Sequence, residues 1–310
     1  MPALTLGIPM APEPARPIME QQYDRAAEDL GNIVALEHVN VRVPDQRIAT
    51  IFYVSGMGLT RDPYLMTGID NMWINVGRSQ FHMPTGNPQV LRGHVGLVLP
   101  EREALLQRLG KVRQDLEGTR FAFAEHNAHV EVTSPWGNRM RCYTPDPRFG
   151  RITLGIPYVE FEVPRGTAAG IARFYREILA TPAETGEDGQ GAFARAAVGQ
   201  HQHFIYRETD RALPAYDGHH VQVYLADFSG PHRKLRERGL VFEESDQWQY
   251  RFKDFVDLDS GKPLYTVEHE IRSMTHPLYA RPLVNRNPAQ SNRRFAAGHE
   301  DWRWAMAYGD

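Results

Sequence analysis

The chain has 310 residues, 42% hydrophobic and 24% charged, with a formal net charge of −3; at roughly 150 residues per domain this suits about two domains. So slight a charge gives no electrostatic case for nucleic acid or an anionic membrane, and no apolar run approaches the ~20 residues of a membrane span. One cysteine, Cys142, rules out an internal disulfide, and with no basic, then apolar leader the sequence reads as cytoplasmic.

Residues 1–32 read as an N-terminal extension, proline-rich to Pro17, with a short amphipathic helix expected from Ile18 to Leu30. The pattern sharpens in LEHVNVRVPDQRIATIFYVSGMGL, Leu36 to Leu59. Val39, Val41 and Val43 alternate with His38, Asn40 and Arg42, which predicts a strand with its valines on one face and the polar trio on the other. Pro44-Asp45 ends it, and Ile48, Ile51 and Phe52 recur at helical spacing until Gly56 and Gly58. LTRDPY, NMWINVG and SQFHMP then read as three short strands, completing a βαβββ unit.

The opening returns three times. In GHVGLVLP from Gly93, His94 lies opposite Val95, Leu97 and Leu99, with a helix expected from Glu101 to about Leu116 and a last strand at NRMRCYTP. In IPYVEFEVP, Tyr158 lies opposite Val159, Phe161 and Val163, with a helix from Thr167 to Leu179 and strands FARAAVG and HFIYRE. In GHHVQVYLAD, His220 lies opposite Val221, Val223 and Leu225, with a helix around His232 to Arg238, then YRFKDFVD and LYTVEHEIRS. Positions 38, 94, 158 and 220 are therefore equivalent, a period too long for a solenoid. After Ser273 a tail from 274 to 310, rich in proline and arginine, is expected to lie extended against the body, with Trp302 and Trp304 as anchors.

These four openings, with FYVSGMGL and ARFYREILA as the following helices and SPWGNRMRCYTP as a turn and last strand, resemble the vicinal oxygen chelate superfamily of glyoxalases, bleomycin-binding proteins and extradiol dioxygenases. The resemblance spans about Ile33 to Ser273. It implies an α+β fold of four βαβββ units, paired into two cupped mixed sheets, read here as one pair over 33–150 and a second over 151–273. It also implies metal ligands early in each first strand and in each last strand, on the face turned away from the helix.

Carried over, those positions give His38, His94 and His82 in the first pair, with Arg141 where glutamate is usual. The second pair offers Tyr158, His220 and Glu268, with His203 as a further candidate and His269 or Glu270 as fallbacks for Glu268. Three imidazoles suit a divalent metal, so His38, His82 and His94 form the expected site and His220, Glu268 and His203 the alternative. Hydrogen-bonded residues around a metal-free pocket are the plainer reading. Arg141 and Tyr158 are the candidate catalytic side chains; a guanidinium at 141 either grips an anionic group bidentately or closes a salt bridge. His126, His129, His201, His219, His232, His276 and His299 suit surface or capping roles. The resemblance implies a metal-dependent enzyme, best matched to an extradiol-like dioxygenase using iron(II), with manganese or zinc as alternatives. A glyoxalase-like isomerase or a metal-free binding protein are the rivals. The expected partner is a small-molecule substrate, with homo-oligomerisation left open; no P-loop, dinucleotide fingerprint or nucleophile elbow is present.

Overall fold

A computed structural model describes residues 23–65 and 68–286. The first repeat comprises β1 (Ile33–Asn40), α1 (Gln46–Thr50), β2 (Thr60–Arg61), β3 (Asn71–Val76) and β4 (Ser79–Pro84). The second comprises β5 (Gly93–Val98), α2 (Arg102–Lys111), β6 (Ala122–Glu125), β7 (Val130–Thr133) and β8 (Arg139–Tyr143). The third comprises β9 (Gly155–Pro164), α3 (Ala168–Glu177), β10 (Ala183–Asp188), β11 (Gly191–Gly199) and β12 (Gln202–Thr209). The fourth comprises β13 (His220–Leu225), α4 (Ser229–Glu237), β14 (Val241–Asp246), β15 (Gln249–Val256) and β16 (Pro263–Ser273). Four βαβββ units are thus present, and the chain is α+β.

Local chemistry sets the helix ends. The Asp45 carboxylate accepts from the Ile48 N–H at 2.9 Å, satisfying one of the orphan donors at the start of α1. The helix then widens into a π turn over Ile51–Gly56 and stops at Gly58, whose φ of 76° suits glycine. Helices α2 and α3 are shorter than their periodicity predicts, and between Tyr23 and Leu30 only a 3₁₀ turn at Ala26–Glu28 forms in place of the expected helix.

The pairing of the repeats departs from chain order. One eight-stranded sheet runs β14-β15-β16-β13-β1-β4-β3-β2 and the other β10-β11-β12-β9-β5-β8-β7-β6. The first repeat therefore joins the fourth, and the second joins the third, so the expected division at residue 150 cuts through both pairs instead of lying between them. Val39 lies opposite Val221 at one antiparallel seam and Val95 opposite Val159 at the other. Both apolar faces feed one core cluster. Tyr175 of α3 lies within it, its hydroxyl hydrogen-bonded to Tyr206 of β12 at 2.6 Å and to His269 of β16 at 2.7 Å, so that one helix residue ties the two sheets together. No helix among the described residues is long and apolar enough to cross a membrane.

Past β16 the tail crosses the polar face of the first sheet without forming a helix through Arg286. The Tyr279 ring lies 4.9 Å from that of Tyr224, Arg281 pairs with Asp62 at 2.8 Å, and the Asn75 side chain donates to the Val284 carbonyl at 2.9 Å. Asn285 then brackets Gly77, accepting from its N–H and donating to its carbonyl. The tail thus straps the fourth repeat to the first. Trp302, Trp304 and the extension to Gln22 lie outside the described residues.

Candidate metal centre

The cup of the first sheet gathers side chains that alternate with the core valines on β1, β4, β13 and β16. His38, His82 and His220 each place one ring nitrogen so that all three lie within 4.8 Å of one another. Ring centres are 5.4 Å apart for His38 and His82 and 5.7 Å for His38 and His220. The Glu270 Oε2 is 3.5 Å from the His220 Nε2.

Strand register explains the convergence. A local two-fold through the Val39–Val221 pair exchanges His38 with His220 and Asn40 with Gln222. Asn40 neighbours His82 on β4, and Gln222 neighbours Glu270 on β16, so the same axis exchanges His82 with Glu270. Three imidazoles and one carboxylate occupy four related positions.

Around them the donor set is fixed by further polar groups. The Glu37 carboxylate is 3.2 Å from the His38 Nδ1, receives the Tyr224 hydroxyl at 2.7 Å and pairs with Arg272 at 2.6 Å. A bulge between Leu36 and His38 makes this possible, because it turns both Glu37 and His38 to the polar side while Leu36 and Val39 stay in the core. Trp73 stacks on His82 at 3.8 Å, and Asn71 takes its Nε2 at 2.8 Å. Glu270 is held by Arg251 at 2.5 Å and by Arg272 at 2.7 Å.

Burial holds the His38 and His82 imidazoles below their usual pKa, His82 down to about 2, so both are neutral with a lone pair to offer. Burial alone would raise Glu270, but the His220 imidazole beside it and the positive charge of Arg272 hold it well below the carboxylate range.

These residues fit a divalent cation. The buried Nε2 atoms of His38 and His220 have no hydrogen-bond partner, nor do the Asn40 and Gln222 amide oxygens beside them, and buried polar atoms are normally satisfied. Three carboxylates (Glu37, Glu268, Glu270) face two guanidiniums (Arg251, Arg272) beside the rings, one more carboxylate than guanidinium.

The structure places the other sequence candidates elsewhere. His94 lies on β5 in the second sheet, so the expected convergence of His38, His82 and His94 does not occur. Its Nε2 is 3.2 Å from the Tyr158 hydroxyl, which is 2.9 Å from that of Tyr143. Arg141 and Tyr158 share that second cup and not the histidine cluster. Glu268 lies on the polar face but pairs with Arg251 and approaches the His220 Nδ1 at 3.5 Å; the fallback Glu270 takes the position beside the cluster. His269 is a core residue. His203 neighbours Tyr158 and matches Glu268, two residues out of step with Glu270, whose counterpart is Ile205. His219, expected near the surface, is buried with its Nδ1 2.6 Å from Asp217. Glu37 went unread because an apolar alternation reports only regular strand, and a bulge breaks that rule.

No known family profile and no curated protein matches the sequence. Solved structures do match. Glyoxalase I from Zea mays superposes with a TM-score of 0.53 at 11% identity, over 77% of this chain and 92% of that one. A candidate dioxygenase from Bacillus subtilis gives 0.51 at 14% identity, over 79% and 86%. The fold is that of the vicinal oxygen chelate superfamily. At such identities the vicinal oxygen chelate likeness describes architecture, and the chemistry has to come from the cup itself.

Proposed function

We propose that this chain is a metal-dependent enzyme acting on a small oxygenated substrate in the cup of the first and fourth repeats, with extradiol-like ring-cleaving oxygenation as its reaction class. The observation that carries the reading is the trio His38, His82 and His220, brought from three strands to within 4.8 Å with two buried nitrogens unpartnered. His38, His82 and His220 would hold a divalent cation with Glu270 as fourth donor; bound there it would supply a Lewis acid to the substrate, and iron(II) would add redox chemistry.

The protein's own contribution is positional. Glu37 orients the His38 ring so that Nε2 faces the cup, the outer-shell arrangement that fixes a ligand's tautomer. Trp73 fixes the plane of His82 and offers aromatic surface to a planar substrate, while the Asn40 and Gln222 amides stand ready for its hydroxyls. The tail strap excludes water from the Gln80 end, where Arg281 reaches both Asp62 and Gln80.

Oxygenation is favoured over proton-shuttle isomerisation because, against burial, His220 and the charge of Arg272 hold the Glu270 carboxyl well below its usual range, which makes it a poor general base. The test is oxygen uptake with catechol by protein loaded with iron(II), manganese or zinc, run beside isomerisation of a glutathione hemithioacetal. Iron-dependent uptake is expected; hemithioacetal turnover without oxygen uptake would replace the dioxygenase reading.

A further inference from the structure

The second cup repeats the geometry of the first with different chemistry. A local two-fold through the Val95–Val159 pair exchanges His94 with Tyr158 and Gly96 with Glu160. Gly96 neighbours Arg141 on β8, and Glu160 neighbours Ile205 on β12, so Arg141 and Ile205 stand where the first cup has His82 and Glu270. Isoleucine cannot ligate, and a guanidinium stands at a position where the first cup has an imidazole. The second cup carries its positive charge covalently.

That charge is uncommitted. Arg139 pairs with Glu162 at 2.7 Å, and Arg207 pairs with Asp188 at 2.8 Å and Glu160 at 3.3 Å. Arg141 makes no hydrogen bond or ion pair among the described residues, yet its charge reaches His94, His129, Tyr158 and Glu160. Its strand neighbour Glu131 forms no ion pair with it. The Tyr158 ring lies directly over Gly96, where any Cβ would collide with it, so a glycine on the strand next to Arg141 makes room for the phenol. An unpaired, half-buried guanidinium beside a hydroxyl relay is a recognition site for an anion.

We propose that the second cup is a separate binding site for a small carboxylate, gripped by the Arg141 guanidinium beside the Tyr158 hydroxyl. A carboxylate fits better than a phosphate because one free cation balances one negative charge, and Glu131 and Glu160 would repel a second. The planar fork matches a carboxylate bidentately, and Ile205 with the Tyr158 ring offers apolar contact to an attached aromatic or aliphatic group. This site stands apart from the proposed metal centre and does not depend on it.

The full chain is titrated with benzoate and, separately, inorganic phosphate, by calorimetry or by chemical-shift changes, alongside a metal assay. Benzoate should bind the wild type, and Arg141→Gln should weaken it by about tenfold or more, the scale of a charge-assisted hydrogen bond. His82→Ala should bind benzoate as the wild type does, and Arg141→Gln should keep its metal. Should Arg141→Gln fold poorly, Arg141→Lys, which keeps the charge without the fork, should still bind more weakly than wild type. Benzoate affinity unchanged in the folded Arg141 variant, no binding to wild type, or phosphate bound more tightly than benzoate would each overturn the proposal.

Discussion

The rings of His38 and His220 lie 5.7 Å apart across the antiparallel seam between β1 and β13, the first strand of the first repeat and the first strand of the last. Everything proposed for the first cup follows from that closure of the chain on itself. If the two rings share one cation, His82→Ala and His220→Ala should each lose about one metal per chain, since removing a ligand leaves an incomplete donor set. His94→Ala, altered in the other sheet, should retain it. Elemental analysis after identical reloading with iron(II), manganese and zinc decides this, and equal metal in all three variants would dismiss the centre.

The strap can be tested through Asp62. Burial on its own would raise that carboxyl, but Arg281 and the N–H groups of Leu65 and Tyr64 hold it below its usual value. A depressed folded pKa contributes stability that is present above the unfolded value, ~3.9 for aspartate, and is lost as pH falls through the folded one. Arg281→Ala should therefore cost about 1–3 kcal/mol at neutral pH by leaving Asp62 under-paired. The gap between variant and wild type should shrink below about pH 4. Urea unfolding at a series of pH values measures it; a gap independent of pH would show that the pair contributes no charge-linked stability.

Tyr175 joins the sheets through the core. Tyr175→Phe would leave the Tyr206 hydroxyl and the His269 Nε2 without their shared partner, at a cost of about 1–3 kcal/mol, while metal content stays at the wild-type level. Thermal melts and the metal assay together separate this structural histidine from the cup histidines. Loss of metal in Tyr175→Phe would contradict the division drawn between them.

Gly77 turns the β3–β4 hairpin with φ at 67°, and a Cβ there would collide with the Leu154 carbonyl oxygen just ahead of β9. Gly77→Ala should lose at least about 1–2 kcal/mol from the left-handed backbone alone, and more from the collision. A melting temperature equal to wild type would show that the hairpin and the third repeat need not approach so closely.

Read alone, the chain specifies local structure. Period-two alternation assigned a polar face to His38, His82, His94, Tyr158 and His220 because a strand's apolar residues must cover a helix, and four such openings in register specified four βαβββ units. It could not say which repeats share a sheet. Each seam is a pair of valines, Val39 with Val221 and Val95 with Val159, with apolar neighbours such as Val41, Val223, Leu97 and Phe161 on the core face in both, and the linkers 85–92, 144–154 and 210–219 are of similar length. Nothing in one repeat's pattern names its partner. That choice is made by long-range packing, where α3 docks Tyr175 onto β16 and the tail ties Asn285 to Gly77, and it exchanged His94 for His220 at the candidate metal centre. Register decided the rest: one bulge brought Glu37 behind His38, and a two-residue offset set Glu270, not Glu268, beside the histidines and gave its counterpart position in the second cup to Ile205. These are properties of strands paired across the molecule, and they exist only once the chain has closed.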